Sequence, residues 1–410
     1  MSMHITLQKS IISKQSSIQI TGSKSESNRL LLLKALYPEM SLENVSNSDD
    51  SNLMTNALST DSDVVDINHA GTAMRFLTAY FSVQEGRDVT LTGSKRMKER
   101  PIAVLVDALR ELGADISYVE NEGLPPIKIK GKKLTKHKVA LKANVSSQYI
   151  SALLLIASKL ENGLELILEG DITSVPYIKM TLSLLDEIGV ESSFNENVIT
   201  VKPGSKDQSP KTLTVESDWS SASYFFSIVA MSEIGTEITI SSYKENSLQG
   251  DSVLVDVYRH FGISTVFNDN NSVTLKKEFS NLEPLTLNLK DAPDIAQTIA
   301  VTCFAIGIPC DLTGLHTLKI KETDRLVALK NEIEKLGGHV EITGKSLHLA
   351  ASKTINESVS IATYHDHRMA MAFAPLALKT PIIIEDAMVV SKSYPAFWDD
   401  LKSIGFKITK

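Results

Sequence analysis

Six stretches of the chain are apolar on nearly every helical face and open with small polar residues: "SKSESNRLLLLKAL", "AGTAMRFLTAYF", "VSSQYISALLLIA", "WSSASYFFSIVA", "APDIAQTIAVTCFA" and "HDHRMAMAFAPLAL". A helix apolar all round has no solvent side and is predicted to lie inside a core. Five further stretches, "LRELGADISYV", "LDEIGVESSF", "YRHFGISTVF", "IEKLGGHVEI" and "LKSIGFKIT", pair an amphipathic helix with a strand across Gly113, Gly189, Gly262, Gly337 and Gly405. Glycine just past a helix supplies a left-handed stop. Runs rich in β-branched residues, such as "GLELILEG", "TEITISS" and "TPIIIEDA", follow buried helices and predict strands.

Both helix types recur at intervals of about 70 residues or a little more, which marks an internal repeat. The predicted unit is buried helix, strand, surface helix, strand, strand, six times over. The first copy is short. About 46 residues separate its buried helix from the next, against about 73–75 elsewhere. It keeps a surface helix, "DDSNLMTNALS", and lacks the strands after it. Six units make an α/β protein of two domains with three units each. The expected division is 20–217 for an N-terminal domain, and 1–19 plus 218–410 for a discontinuous C-terminal domain. The opening strand "HITLQKS" is then expected to pair in the C-terminal domain. No Gly/Ser- or Pro-rich tract reads as a linker.

A length of 410 residues suits two domains with ample core, and 42% hydrophobic residues fit an ordinary globular chain. The net charge of −7 argues against wholesale binding of nucleic acid or other polyanions, so any anion site must be local. Cys303 and Cys310 lie in one apolar run, have no metal-ligand spacing and read as buried thiols of a reducing compartment. "MSMHITLQKS" has no hydrophobic stretch of the signal-peptide kind, and no apolar run reaches the roughly 18 residues of a membrane span. The expected address is the cytoplasm.

Charge placement points to chemistry. If the buried helices pack in parallel, their N-terminal poles, each of roughly half an elementary charge, meet at one end. Backbone N–H groups there are ready anion ligands. The first turns hold polar groups that buried helices otherwise avoid: Lys24, Ser25 and Arg29; Thr72 and Arg75; Ser146, Ser147 and Gln148; Asp294; His367 and Arg368. Each has a plain structural alternative: Ser146 or Ser147 as an N-cap, Arg75 in an interdomain salt bridge, Asp294 as a helix cap. Their recurrence at one end of a repeated element favours function. "SKRMKERP", "KIKETDR" and "VVSKSYP" add Arg100, Lys321, Glu322, Arg325 and Lys392, whereas Lys95 and Arg96 read as solvated. Basic groups thus come from both halves. They predict a cleft between domains that holds two anionic groups, at least one of them phosphate or carboxylate, for which the arginine fork is suited. Asp294 and Glu322 among these cations suggest acid–base work.

At these residues the chain resembles the 5-enolpyruvylshikimate-3-phosphate synthase family. "GSKSESNR", "AGTAMRFL", "RMKERPI", "SSQYISALL", "VPYIK", "SSASYFF", "LQGD", "KETDR" and "HDHRMAM" stand in the family's order over essentially the whole chain. The resemblance implies a two-domain inverse α/β barrel of six βαβαββ units. It implies transfer of the enolpyruvyl group of phosphoenolpyruvate to the 5-hydroxyl of shikimate 3-phosphate through a tetrahedral intermediate, with release of phosphate. No metal or organic cofactor is implied, nor any partner beyond the two small molecules, and the expected state is a monomer. Lys24, Ser25 and Arg29 would line the substrate site, with Lys24 touching both substrates. Ser146, Ser147, Gln148, Ser174, Tyr177 and Asp294 would hold shikimate 3-phosphate. Gly71, Arg100, Arg325, Arg368 and Lys392 would surround phosphoenolpyruvate, with His367 beside Arg368. Lys321 would join the shikimate phosphate side or the cleft wall. Asp294 would orient or deprotonate the 5-hydroxyl, and Glu322 with Lys24 would serve the methylene carbon; which group acts at which step stays open. The chain departs from the family at His69 and Thr317, where asparagine is usual, and at Phe76, where proline is usual.

Three other readings compete. UDP-N-acetylglucosamine enolpyruvyl transferases share fold and donor but carry a cysteine in the mobile loop, and "SKRMKERPIAV" has none. A non-catalytic binder of phosphometabolites would have little use for Asp294 and Glu322, which repel anions. An RNA 3′-end-processing enzyme would want a basic face studded with aromatics.

Overall fold

Wherever the chain is apolar on all helical faces, a buried helix forms: Lys24–Leu36, Gly71–Ser82, Ser147–Ala157, Trp219–Met231, Ala296–Ile306 and His367–Phe373. The computed structural model describes residues 3–142, 146–170, 172, 175–204 and 210–410. They divide into two units, Gly22–Val215 and Met1–Thr21 with Glu216–Lys410, each with its own hydrophobic core.

Within the unit Gly22–Val215 two four-stranded sheets share one plan. Val64–Asp66 pairs in parallel with Asp88–Thr92, which continues antiparallel through Ile127–Lys130 to Asp115–Tyr118. Lys138–Lys142, Leu164–Glu169, Val198–Val201 and Ser192–Asn195 repeat that order. The shortened first repeat contributes only Ser41–Glu43, parallel to Thr212–Thr214.

In the other unit the plan recurs as Gln15–Ile18, Glu237–Ile240, Val273–Lys277 and Ile263–Phe267. It recurs again as Leu285–Asn288, Cys310–Thr313, Leu347–Leu349 and Val340–Ile342. The last sheet runs Val359–Ile361, Ile382–Ile384, Ile5–Leu7, Ile408–Thr409. The opening strand of the chain thus fills the third place in the sheet of its final repeat.

One strand per repeat escaped the sequence pattern. Four of the buried helices are preceded by a strand paired in parallel with the one that follows, such as Lys138–Lys142 or Val359–Ile361. Before Lys24–Leu36 and Trp219–Met231 the partners are exchanged, Gln15–Ile18 pairing with Glu237–Ile240 and Thr212–Thr214 with Ser41–Glu43. In "KVALK" only Val139 and Leu141 face inward, between exposed lysines, so the run reads as a charged loop. The stops behaved as expected: the five glycines after the amphipathic helices all have positive φ, from 78° at Gly262 to 118° at Gly405.

Hydroxyls of the buried helices Trp219–Met231 and Ala296–Ile306 pair with one another. Ser223 and Thr298 lie 3.0 Å apart and Ser227 and Thr302 2.7 Å apart, each pair separated by 75 residues in sequence. Equivalent positions of successive buried helices therefore face one another, which removes the cost of unpaired buried hydroxyls. Cys303 and Cys310 are buried free thiols.

Candidate active site

In the unit formed by residues 1–21 and 216–410, Arg325 is the first residue of the helix Arg325–Lys335, which Asp324 caps. The residue is 1% exposed, and its guanidinium holds three carboxylates. Nε donates to Asp366 at 2.6 Å, Nη1 to Asp294 at 2.8 Å and Nη2 to Glu322 at 2.8 Å. Burial alone would lower its pKa. The Asp366, Asp294 and Glu322 charges outweigh it and raise the guanidinium pKa.

Asp294 sits in the short turn Pro293–Ile295 that leads into Ala296–Ile306, and its side chain caps no backbone amide there. The capping alternative therefore fails. Its carboxylate instead takes Arg325, Lys321 at 3.3 Å and Arg368 at 3.4 Å. Burial pushes this carboxyl up, but Lys321, Arg368 and Arg325 together hold it well below the usual carboxylate range. Glu322 is more open, about a third exposed along its side chain.

Arg368 joins three helix starts. Its backbone amide donates to Asp366, the N-cap of its own helix. Nη2 donates to Ser220 at 3.1 Å in the first turn of Trp219–Met231, and Nη1 to the Asp294 carbonyl at 3.2 Å. Ser220 in turn donates to buried Asp251, whose pKa burial pushes up to about 6. His367 is buried with Nδ1 3.9 Å from Asp366. Lys392 donates to the His365 carbonyl at 2.8 Å.

In the unit Gly22–Val215 the helix starts also meet. Ser23, not Ser25, caps Lys24–Leu36. Lys24 pairs with Asp50 at 3.2 Å. Arg29 is buried: Nε donates to Thr181 at 2.8 Å, Nη1 to the Ser25 carbonyl at 2.7 Å and Nη2 to Ser151 at 3.0 Å. Its guanidinium lies 5.4 Å from the Phe76 ring and 5.8 Å from that of Tyr177, and burial pulls its pKa down to about 10. Ser146 is the N-cap of Ser147–Ala157, so that plain reading holds, and Ser147 is buried beside it. Gln148 reaches Thr72 at 3.1 Å, which ties this helix start to that of Gly71–Ser82.

Gly71 makes room for Arg100. A Cβ at this glycine would stand 2.5 Å from the Arg100 Nη1. Within its own unit, Arg75 donates to the Gly71 carbonyl at 2.7 Å and stacks 5.2 Å from the Tyr149 ring. Of the departures, Phe76 is buried under Arg29, and exposed His69 pairs with Ser94 at 2.8 Å. The Thr317 hydroxyl has no hydrogen-bond partner among the described residues. Ser174 lies outside the described residues.

Sequence reasoning missed Asp366, Asp50, Ser220 and Asp251. Asp366 and Ser220 stand at helix starts within quoted motifs, "HDHRMAM" and "SSASYFF", where the N-cap position alone could have flagged the former. Among the described residues no group of three His, Cys, Asp or Glu side chains could hold a metal ion, and no helix is long and apolar enough to cross a membrane.

Residues 56–401 match the family described as EPSP synthase (3-phosphoshikimate 1-carboxyvinyltransferase). A 3-phosphoshikimate 1-carboxyvinyltransferase of Bacteroides fragilis is 46% identical over 399 residues, 96% of each chain. One from Haemophilus influenzae is 35% identical, with 96% of this chain and 97% of that one covered. Among solved structures, EPSP synthase from Acinetobacter baumannii superposes with a TM-score of 0.84 at 19% identity, over 99% of this chain and 100% of that one. The enolpyruvyl transferase NikO from Streptomyces tendae gives 0.73 at 13% identity, over 99% and 98%. At these identities the two structures speak for the fold alone.

Proposed function

The chain belongs to the EPSP synthase family, and from that premise we propose that the cations and carboxylates described above are the groups that carry the family's reaction. The chain is a transferase of the shikimate pathway: it moves the enolpyruvyl group of phosphoenolpyruvate to the 5-hydroxyl of shikimate 3-phosphate and releases phosphate. The assignment of residues to steps is the proposal.

One observation carries it: a single buried guanidinium, that of Arg325, holds Asp294 and Glu322 at 2.8 Å each. Two carboxylates with unlike surroundings are thereby fixed around one anion-binding group. Asp294, beside three cations, stays ionised and is a weak base. Its role is to accept a hydrogen bond from the 5-hydroxyl and aim that oxygen at C2 of phosphoenolpyruvate. Glu322, the more open carboxyl, exchanges the proton of the methylene carbon. Protonation at C3 by Glu322 and attack at C2 by the 5-hydroxyl oxygen give the tetrahedral intermediate. Return of a C3 proton to Glu322 restores the double bond as the C2–O bond to phosphate breaks, and the proton that the hydroxyl gave up leaves on the phosphate as hydrogen phosphate.

Arg325, Arg368, Lys392 and Arg100 beside Gly71 bind phosphoenolpyruvate. Ser146, Ser147, Gln148, Ser174 and Tyr177 bind shikimate 3-phosphate, with Ser25 and Arg29 beside them, and Lys321 meets its phosphate. Lys24 serves both substrates. Fixed cations aimed at the developing charge are the largest expected contribution to rate. Monomeric action and a cytoplasmic address belong to the same proposal. The test is phosphate release from phosphoenolpyruvate with shikimate 3-phosphate or UDP-N-acetylglucosamine as acceptor; release with only the second would refute it.

A further inference from the structure

Glu332 lies seven residues beyond Arg325 on the same helix, and its side chain is fully buried. A carboxylate persists in a core only when its oxygens are answered. Oε1 accepts from the Tyr364 hydroxyl at 2.7 Å. Oε2 accepts from the Ala362 amide at 3.1 Å and from the Lys335 ammonium at 2.7 Å. Two of these three donors belong to residues 362–366, the segment between the strand Val359–Ile361 and the helix His367–Phe373.

That segment is under strain. Tyr364 has φ 54° and His365 has φ 57°, two consecutive non-glycine residues in the left-handed region. Such a pair holds only where its surroundings over-determine it. The turn it makes has consequences on both sides. Asp366, immediately after, accepts from Nε of Arg325 and from the Arg368 amide. The His365 carbonyl accepts from Lys392. Arg325, Arg368 and Lys392 therefore each take a contact from residues 365–366.

We propose that Glu332 is a positioning residue: by pinning Ala362 and Tyr364 it holds the left-handed turn that sets Arg325, Arg368 and Lys392 for phosphoenolpyruvate. This rests on the assignment of those three cations to phosphoenolpyruvate made above. A buried carboxylate seven residues along the helix from Arg325 thus controls one substrate and not the other.

The test is steady-state kinetics on Glu332→Gln, which keeps shape but puts an N–H₂ where an acceptor stood. KM for phosphoenolpyruvate rises by about tenfold, KM for shikimate 3-phosphate stays within about twofold, and kcat falls less than the first of these rises. Adding His365→Gly, which removes most of the left-handed penalty at an exposed side chain, brings KM for phosphoenolpyruvate back to within about threefold of the parent. Tyr364→Phe removes one hydroxyl at a half-buried position and gives the same split, at about threefold, should Glu332→Gln fold poorly. Arg368→Lys serves as the control for the underlying assignment. If it leaves KM for phosphoenolpyruvate unchanged, the assignment of the cations is wrong. If it raises that KM while Glu332→Gln and Tyr364→Phe do not, the positioning role is wrong. Equal movement of both KM values, or a lowered Tm with no kinetic split and no glycine rescue, also overturns it.

Discussion

Asp294 and Arg325 meet at 2.8 Å, and neither has much access to water: Arg325 is 2% and Asp294 16% exposed along the side chain. The pair is one arm of a network that also takes in Asp366, Glu322, Lys321 and Arg368. Removing the hub leaves several carboxylates facing one another. Arg325→Ala is expected to cost about 3–5 kcal/mol of stability, the usual penalty for breaking a buried ion pair, and to abolish measurable turnover. Thermal denaturation and a phosphate-release assay check both. A stable variant would mean that Asp294 and Asp366 find other partners.

Replacing Glu322 by glutamine removes a proton carrier and keeps a hydrogen-bonding side chain beside Arg325. The kcat is expected to fall by about 10²–10⁴-fold with KM for either substrate changed little. Turnover near the parent's would remove Glu322 from the proton path.

Two acids of this unit, Asp294 and Asp251, give opposite dependences of stability on pH. The folded-state pKa of Asp294 lies below its ordinary value of 3.8, so its contribution is present at neutral pH and is lost as pH falls below that value. Asp251 is raised from 3.8 to about 6, so the folded state favours its protonated form, and stability is lost as pH climbs through that interval. Asp251→Asn should therefore raise Tm at pH 7 by roughly a few degrees relative to its effect at pH 4. Equal shifts at the two pH values would contradict this.

Gly71→Ala would place a methyl group against the Arg100 guanidinium, 2.5 Å from Nη1. The clash is with the end of a flexible side chain, so the fold is expected to survive while the guanidinium moves. KM for phosphoenolpyruvate should rise by about tenfold or more, with Tm within roughly two degrees of the parent. An unchanged KM would separate Arg100 from that substrate.

Lys24→Met is expected to raise KM for both substrates and to lower kcat by about 10²-fold or more. Asp50→Asn, which frees the same ammonium from its 3.2 Å partner, should leave kcat within about tenfold. A change in one substrate alone after Lys24→Met would refute the bridging role.

The sixfold repeat was legible because it rests on burial. An all-apolar helix and a glycine stop leave a periodic trace that no local accident imitates, as at Trp219–Met231 and Gly262. Strands such as Lys138–Lys142 left none, since two inward residues among lysines cannot be told from a loop. Within the site, Arg325 and Arg368 stood out as charge at the start of apolar runs. Asp366 did not, although it receives the shortest bond of the network, because a carboxylate before a helix has an ordinary capping role that hides any second one. The pairing of Lys24 with Asp50 joins residues of two different helices, and nothing in either local pattern announces it.

The strand Ile5–Leu7 lies between Ile382–Ile384 and Ile408–Thr409. During synthesis it leaves the ribosome nearly four hundred residues before its neighbours exist. The unit Gly22–Val215 can close meanwhile, since all its strands pair among themselves. For that interval an apolar ribbon stands exposed with both edges open, the kind of segment that chaperones shield and that stalled translation leaves to aggregate.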